Sequence, residues 1–302
     1  MDMNTFIVSL YQVLDSFAFL MIAAIGLSII YGMMGIINMA HGEFIMLGAY
    51  ITTLAARWGL PLGAAILAGS LGVAIFGGVI DRLLMCRLYN RPLDSIAVTW
   101  GLSLILSQGM LILMGPTLPV VTAPFGHVAI GGSTYQVYRL IIIGIAFVIP
   151  VILYYVFSAT RFGIESRATM QRPESAGMLG INTKKMYAIT FMVGSGLAGF
   201  AGGLYAPTMT IAPTMGQSFQ MQSFVTVVVG GVNPLVGTVT SAGFLGVVQG
   251  LVSMALTSFF GRMALLLVAI LVLRMLPGGM SLLVERIHER RMEGKQANEK
   301  NR

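Results

Sequence analysis

The 302-residue chain carries too few charged residues to cover a soluble surface. Hydrophobic residues make up 56% and charged residues 10%, with a mean hydropathy of +0.86, whereas an ordinary soluble domain carries about 25% charged residues. This composition excludes a soluble globular enzyme and a disordered chain, and the single cysteine, Cys86, excludes a disulfide framework or a cysteine-built metal site. The sequence therefore predicts an integral membrane protein.

Long stretches without Asp, Glu, Lys or Arg set the number of membrane segments. They are 16–42, 58–80, 95–138, 140–160 and 186–261. At about 20 residues per crossing, they accommodate about eight transmembrane segments. In chain order the predicted segments are about 17–37, 44–56, 60–80, 96–114, 140–157, 186–205, 221–231, 238–256 and 263–276. Because several are too short for an ordinary crossing, we predict an all-α, polytopic membrane helix bundle with interrupted or re-entrant helices.

The segment 117–136 between two predicted spans is rich in Pro, Gly, Thr and Val. This composition predicts an external loop with a short hairpin, whose strands are 120–123 and 128–130 around Phe125-Gly126.

Basic residues gather in three stretches, which hold 15 of the 18 lysines and arginines. They are Arg82, Arg87 and Arg91; Arg161, Arg167, Arg172, Lys184 and Lys185; and Arg274, Arg286, Arg290, Arg291, Lys295, Lys300 and Arg302. Cytoplasmic loops carry such an excess of positive charge. The net charge of +7 thus indicates topology rather than a nucleic-acid site, and we predict a membrane domain over 1–280, a charged cytoplasmic tail over 281–302 and an external N-terminus.

A polar cluster interrupts the first apolar region. Asn38, His41 and Glu43 follow each other closely where hydropathy favours membrane, and several glycines surround them. Ionisable groups at such depth are costly and usually face protein or a water-filled cavity. One interpretation is a broken helix that lines a pathway; the other is an interfacial loop in which Asn38 and Glu43 cap the next helix. The three histidines are too far apart in sequence to predict a zinc site.

The second basic stretch contains signals for a short helix at about 173–179. Pro173 suits a first helical position, Glu174 suits the first turn and Gly180 suits a left-handed C-terminal cap. Ala176 and Leu179, three residues apart, are expected to share a face. Such a cytoplasmic helix could dock a partner, although an ordinary charged turn between two spans is the alternative.

Glycine patterns mark two later segments. Small residues recur at three- and four-residue spacing over 194–203, which favours close helix packing. Over 229–237, paired glycines and Asn233-Pro234 interrupt an apolar stretch. Two interrupted segments in corresponding halves point to a transport pathway, and a tight helical hairpin is the alternative. We find no phosphate-binding loop and no acid–base pair that would predict a membrane enzyme.

These features together resemble one known family. Residues 26–43, which end in Asn-Met-Ala-His-Gly-Glu, and Gly48-Ala49-Tyr50 look like the N-terminal signature of the branched-chain amino acid ABC-transporter permeases. The loop residues Arg167-Ala168, Ser175-Ala176 and 179–182 are similar as well. Val232-Asn233-Pro234 departs from the family's usual Gly-Gly-x-Gly-Thr segment, and the arginine of the terminal Arg-Pro-x-Gly-Leu is displaced to Arg274. The resemblance covers about 26–279.

The resemblance implies a permease subunit of a bacterial inner-membrane importer that works by alternating access. Its partners would be a second homologous permease, in a heterodimer or a homodimer, two cytoplasmic ATPases that bind ATP and Mg, a periplasmic binding protein and the lipid bilayer. This chain would bind no cofactor, no metal and no nucleic acid. The coupling helix that docks into an ATPase would comprise Arg172, Pro173, Glu174, Ser175, Ala176, Leu179 and Gly180.

Three possibilities remain for the solute and the energy source. Branched-chain amino acids are the solute that the resemblance favours, while the family also includes permeases for urea and short-chain amides. A stand-alone ion-coupled transporter or channel would instead use Asp15, Glu43, Asp94 or His41. We predict a translocation pathway bordered by Asn38, His41, Glu43, Ser103, Gln108, Gly230, Gly231 and Asn233, because neutral polar groups let a zwitterion or amide pass without holding it.

Overall fold

The computed structural model describes residues 3–89, 91–130, 133–231, 233–276 and 278–282. The helices are α1 Met3–Met34, α2 His41–Arg57, α3 Leu62–Leu83, α4 Pro92–Met114, α5 Val137–Ala159, α6 Arg161–Gln171, α7 Pro173–Met178, α8 Thr183–Tyr205, α9 Met215–Gly230, α10 Pro234–Ala255 and α11 Ser258–Met275, with a 3-10 turn at Met85–Arg87. Among the described residues, α1, α3, α4, α5, α8, α10 and α11 are long and apolar enough to cross a membrane. The molecule is an all-α membrane bundle, as predicted.

Helices α1 and α8 run antiparallel through the centre of the bundle. The rings of Phe19 and Tyr205 lie 5.2 Å apart near one end, and the Thr190 hydroxyl lies 3.0 Å from the sulfur of Met33 near the other. A Cβ atom at Gly26 would lie 2.5 Å from the carbonyl oxygen of Gly194. Glycine is therefore required where the two backbones approach, which confirms the packing interpretation of the small-residue run in α8.

The first interruption is real, and it places α2 inside the bundle. α1 ends at Met34, followed by Gly35 with φ of 64°, and residues 35–40 are not helical. The His41 Nε2 atom lies 3.0 Å from the carbonyl oxygen of Ala23, which precedes Met34 by about 16 Å of helix. The chain thus turns back beside α1 before α2 begins. α1 begins at Met3, well before the start predicted at residue 17. Asp15 can lie within this helix because it is paired with Arg139 at 2.7 Å.

The first two basic stretches meet at one end of the bundle, and the last described residues lie at the same end. The rings of Tyr89 and Tyr187 lie 4.9 Å apart, which joins the loop after α3 to the start of α8. The Asn233 backbone N–H donates to the Ser281 hydroxyl at 3.4 Å, which brings the end of the described chain to the start of α10. Burial and the hydrogen bond from its hydroxyl to Asp81 raise the pKa of Tyr89. Residues 283–302, most of the predicted tail, lie outside the described residues.

The opposite end carries the predicted hairpin, in which the strand predicted at 128–130 is confirmed and its partner differs from the prediction. β1 His127–Ile130 pairs antiparallel with β2 Ser133–Gln136, with Val128 opposite Tyr135. The prediction that 120–123 forms a strand of this hairpin is wrong. Phe125 and Gly126 both have positive φ and precede β1, so they do not connect the two strands, which pair from Ile130 opposite Ser133.

Helix α6 also corrects the sequence interpretation, which treated 161–172 as loop. The Thr160 hydroxyl caps the helix by accepting the Gly163 backbone N–H at 3.3 Å. The helix ends before Pro173, because the residue that precedes a proline is disfavoured in helical geometry. α6 thus continues α5 into the basic end and leads directly to α7.

Candidate functional site

The break between α1 and α2 leaves backbone groups without hydrogen-bond partners inside a helix. The Asn38 side-chain oxygen accepts the Ala40 backbone N–H at 3.0 Å, and the Met39 backbone N–H donates to the Thr99 hydroxyl of α4 at 3.0 Å. Asn38, Ala40 and Thr99 are fully buried. Buried backbone groups need such partners, so the irregular segment is held in one conformation by its own side chains and by α4.

Gln220 of α9 hydrogen-bonds to backbone groups on both sides of the break. Its side-chain oxygen accepts the Gly42 backbone N–H at 2.7 Å, and its side-chain nitrogen donates to the Asn38 carbonyl oxygen at 3.2 Å. One amide therefore bridges the two ends of the break, across 178 residues of sequence. The sequence interpretation missed Gln220, because a single glutamine in an apolar stretch gives no local signal for a distant partner.

Glu43 lies where the first turns of α2 and α9 meet. The Ser103 hydroxyl donates to Glu43 Oε1 at 2.9 Å, and Glu43 is 2% exposed. A Cβ atom at Gly216 would overlap with Glu43 Oε2, so only glycine lets the first turn of α9 approach the carboxyl group this closely. Helix N-termini carry partial positive charge. Two of them therefore converge on one buried acidic side chain.

His41 is held by the backbone of α1. Because the Ala23 carbonyl oxygen can only accept, His41 Nε2 carries the hydrogen of this contact and Nδ1 remains an acceptor when the ring is neutral. Within the described residues, no hydrogen-bond partner is present for His41 Nδ1, Asn38 Nδ2 or Glu43 Oε2. The cluster thus retains one donor and two acceptors, which a water molecule or a passing solute could use.

The structure brings four of the eight predicted pathway residues together, namely Asn38, His41, Glu43 and Ser103. Gly230, Gly231 and Asn233 lie at the other end of α9, about 15 Å from Gln220 along the helix. There Gly231 has φ of 85° and packs against Gly278 and Gly279, and Asn233 caps α10.

Gln108 lies elsewhere. It is exposed on α4, five residues beyond Ser103 and about 140° further around the helix. The structure therefore does not place Gln108 in this cluster.

The predicted short helix is present as α7. Pro173 occupies its first turn, it ends at Met178, and Gly180 follows with φ of 86°. Ala176 is 2% exposed, whereas Met178 and Leu179 are each 82% exposed. The expectation that Ala176 and Leu179 share a face is wrong, because the helix ends one residue before Leu179. α7 is thus anchored through Ala176 and presents two apolar side chains at the basic end.

No cluster of three or more His, Cys, Asp or Glu side chains in the described part of the chain could hold a metal ion. Of the two buried groups with metal-binding chemistry in the cluster, His41 is engaged with α1 and Glu43 with Ser103. The arrangement is suited to hydrogen bonding through the polar atoms that have no partner among the described residues.

Comparison with known proteins agrees with this architecture. Residues 9–276 match the family model described as the branched-chain amino acid transport system permease component. The chain is 30% identical over 244 residues to the high-affinity branched-chain amino acid transport system permease protein BraD of Pseudomonas aeruginosa, covering 75% of this chain and 79% of BraD. It is 28% identical to the corresponding protein LivH of Salmonella typhimurium, covering 85% and 89%.

A more distant relative is named for a different solute. The fructose import permease protein FrcC of Rhizobium meliloti is 24% identical over 217 residues, covering 69% of this chain and 59% of FrcC. No solved structure matches the chain. The family model spans nearly all of the described bundle, and the chain therefore belongs to the branched-chain amino acid transport permease family.

Proposed function

We propose that this chain is a permease subunit of an ATP-driven importer for branched-chain amino acids. The observation that carries the proposal is α7, a short helix with Met178 and Leu179 exposed at the end where the basic loops meet. Exposed apolar side chains on a water-facing helix indicate a docking surface. The relatives named as branched-chain amino acid permeases support the solute class.

The partners follow from this assignment. Two cytoplasmic ATPases, which bind ATP and Mg, dock on the α7 surfaces of two permease subunits, of which the second is a homologue or another copy of this chain. A periplasmic binding protein delivers the solute. The basic end of the bundle faces the cytoplasm of a bacterial inner membrane, and the hairpin end with the N-terminus faces the periplasm.

The buried cluster around Gln220 acts as the closed part of the pathway within this subunit. ATP binding moves α7 and α6 and thereby the helices that surround the break, in an alternating-access cycle. The unpaired polar atoms of Asn38, His41 and Glu43 then face the solute transiently. Binding must be weak at such a site, since the solute has to leave again.

The rival, a stand-alone ion-coupled transporter, has less support from the geometry. Asp15 forms an ion pair with Arg139 at 2.7 Å, and Asp94 lies 3.7 Å from Arg91 with both side chains more than half exposed. Of the four ion-coupling candidates only His41 and Glu43 lie in the buried cluster. A urea or amide permease would use the same neutral polar groups, so the solute has to be identified by experiment.

Copurification of the assembled importer with its binding protein tests the solute. We expect the binding protein to carry leucine, isoleucine or valine, identified by mass spectrometry of the released ligand, and the importer to take up the same amino acid. A binding protein that carries urea, an amide or a sugar and stimulates uptake of that compound would refute the proposed solute.

A further inference from the structure

Helices α5 and α10 diverge and leave a continuous apolar groove on the side of the bundle. Three adjoining cavities of about 330, 310 and 440 Å³ lie between them. The first and second share Tyr154, and the second and third share Val151 and Val239. Pro150 lies inside α5 and lines the groove, and a proline within a helix bends it. The opening thus has a cause in the sequence.

The chemistry of the groove changes along its length. Between Val151 and Val247 its walls are aliphatic or aromatic, apart from Thr240 and the backbone of Gly243. At the end next to α6, the lining includes Ser158, Arg167 and Asn233. Arg167 is the cation of this set, and the described lining residues include no acidic side chain. The groove is therefore apolar with a positively charged head.

The dimensions fit one leaflet of a bilayer. From Pro234 to Val247 the groove follows α10 for about 20 Å at 1.5 Å per residue. One leaflet contributes about 15 Å of hydrocarbon, half of the core thickness, and the remaining length matches a glycerol backbone. The polar head lies where α5 ends and α10 begins, which is the depth expected for a lipid phosphate.

We propose that this groove binds one anionic phospholipid from the leaflet on the basic side. Its acyl chains lie between α5 and α10, and its phosphate contacts Arg167. Basic pockets between membrane helices on the cytoplasmic side recognise anionic headgroups in this way. Because Arg167 belongs to α6, which leads directly to α7, the bound lipid fixes the connection between the bundle and the docking helix.

Native mass spectrometry of the full chain in detergent tests the proposal, with dioleoyl phosphatidylglycerol and dioleoyl phosphatidylcholine as probes. We expect one tightly retained lipid and a preference for phosphatidylglycerol. Arg167→Ala should reduce that preference about fivefold, since one basic residue near an anionic surface contributes about 1 kcal/mol. Arg161→Ala is the matched control, because Arg161 is exposed on the same helix and does not line the groove.

A second pair of variants tests the acyl-chain part. A Cβ atom at Gly243 would meet no atom within 4 Å, and Gly243 lines the groove, so the larger side chain of Gly243→Leu should occupy the groove and abolish retention of both lipids. Gly144→Leu is the control, since Gly144 is equally open and lies outside the groove.

Equal retention of both lipids by the unaltered chain would overturn the proposal, as would unchanged retention by Gly243→Leu. In the assembled importer, a cross-link from Gly243→Cys to a helix of the second permease would also overturn it, because a protein would then occupy the groove. These measurements do not depend on transport.

Discussion

Gln220 is the residue on which the geometry of the break depends most directly. Its amide pairs with Gly42 and Asn38 at once, and its side-chain nitrogen also lies 4.0 Å from the sulfur of Met39. A buried backbone group without a partner costs about 1–3 kcal/mol. The break is therefore stable only while α9 stays in register with α2.

Gln220→Leu should lower solute uptake by the assembled importer by about tenfold or more, because two buried backbone groups lose their partner. Uptake of radiolabelled leucine and the rate of ATP hydrolysis are measured in proteoliposomes. Gln222→Leu is the control, since Gln222 is buried on the same helix and its side-chain oxygen has no partner among the described residues. An equal loss of uptake in both variants would contradict a specific role of the Gln220 hydrogen bonds.

Glu43→Gln tests whether the carboxyl group of Glu43 has a structural role or couples transport to an ion. The amide can still accept the Ser103 hydroxyl, and a charge at a helix terminus contributes about 1 kcal/mol. We therefore expect ATP-driven uptake to stay within about fivefold of the unaltered importer, at each pH between 6 and 8. Complete loss of uptake, together with a dependence of the unaltered protein on a proton gradient, would support the ion-coupled transporter instead.

The sequence predicted those site residues that are neighbours along the chain, but not the residue that comes from a distant helix. Asn38, His41 and Glu43 are neighbours in one polar run, so their grouping was visible, and Ser103 was included as a nearby polar group of the bundle. Gln220 was not, because its partners lie about 180 residues away and only the packing of α9 against α2 brings them together. Gln108 was included, like Ser103, as a neutral polar residue. It lies on a different face of α4, because five residues correspond to about 140° of rotation around the helix.

Among the elements, α7 was predicted most closely. Pro173 and Gly180 are local signals for a helix start and end, and both act as expected. α6 was missed, because its arginines and polar residues look like a loop unless Thr160 is read as its cap. One strand of the hairpin was misplaced, because Phe125-Gly126 was taken as its turn, whereas both residues precede β1.

The left-handed conformation of Gly180 gives a sharp test of α7. Proline cannot adopt φ of 86°, so Gly180→Pro should distort the end of α7 and separate ATP hydrolysis from uptake. Gly180→Asn should retain coupling, because asparagine tolerates this conformation. The measurement is leucine transported per ATP hydrolysed, and coupled transport that persists in Gly180→Pro would refute the coupling-helix assignment.

The exposed apolar side chains of α7 give an independent test of docking. Met178→Asp and Leu179→Asp should each reduce copurification of the ATPases, since both side chains are 82% exposed and a charge there disrupts an apolar interface without affecting the bundle. Gln171→Asp, at an exposed position at the end of α6, serves as the control. If all three variants retain the ATPases equally, α7 is not the docking surface.

In the whole molecule, the few charged residues lie at particular places in the bundle. The first two basic stretches converge at one end, as the contact of Tyr89 with Tyr187 shows, and the contact of Asn233 with Ser281 brings the last described residues to the start of α10. Inside the bundle, Asp15 is paired and Glu43 lies between two helix N-termini. The uncharged stretches predicted most of the spanning helices, but not the depth at which α2 begins beside Ala23, since depth within a bundle depends on contacts between distant segments.

The dependence of uptake on ATP decides whether this chain acts as a subunit of an ATP-driven importer. We compare leucine uptake into proteoliposomes that contain this chain alone with uptake into those that contain it with its second permease, ATPases and binding protein. We expect accumulation only in the complete importer and only with ATP and Mg. Accumulation of leucine by this chain alone, driven by an ion gradient without ATP, would contradict the assignment as an ABC-transporter permease subunit.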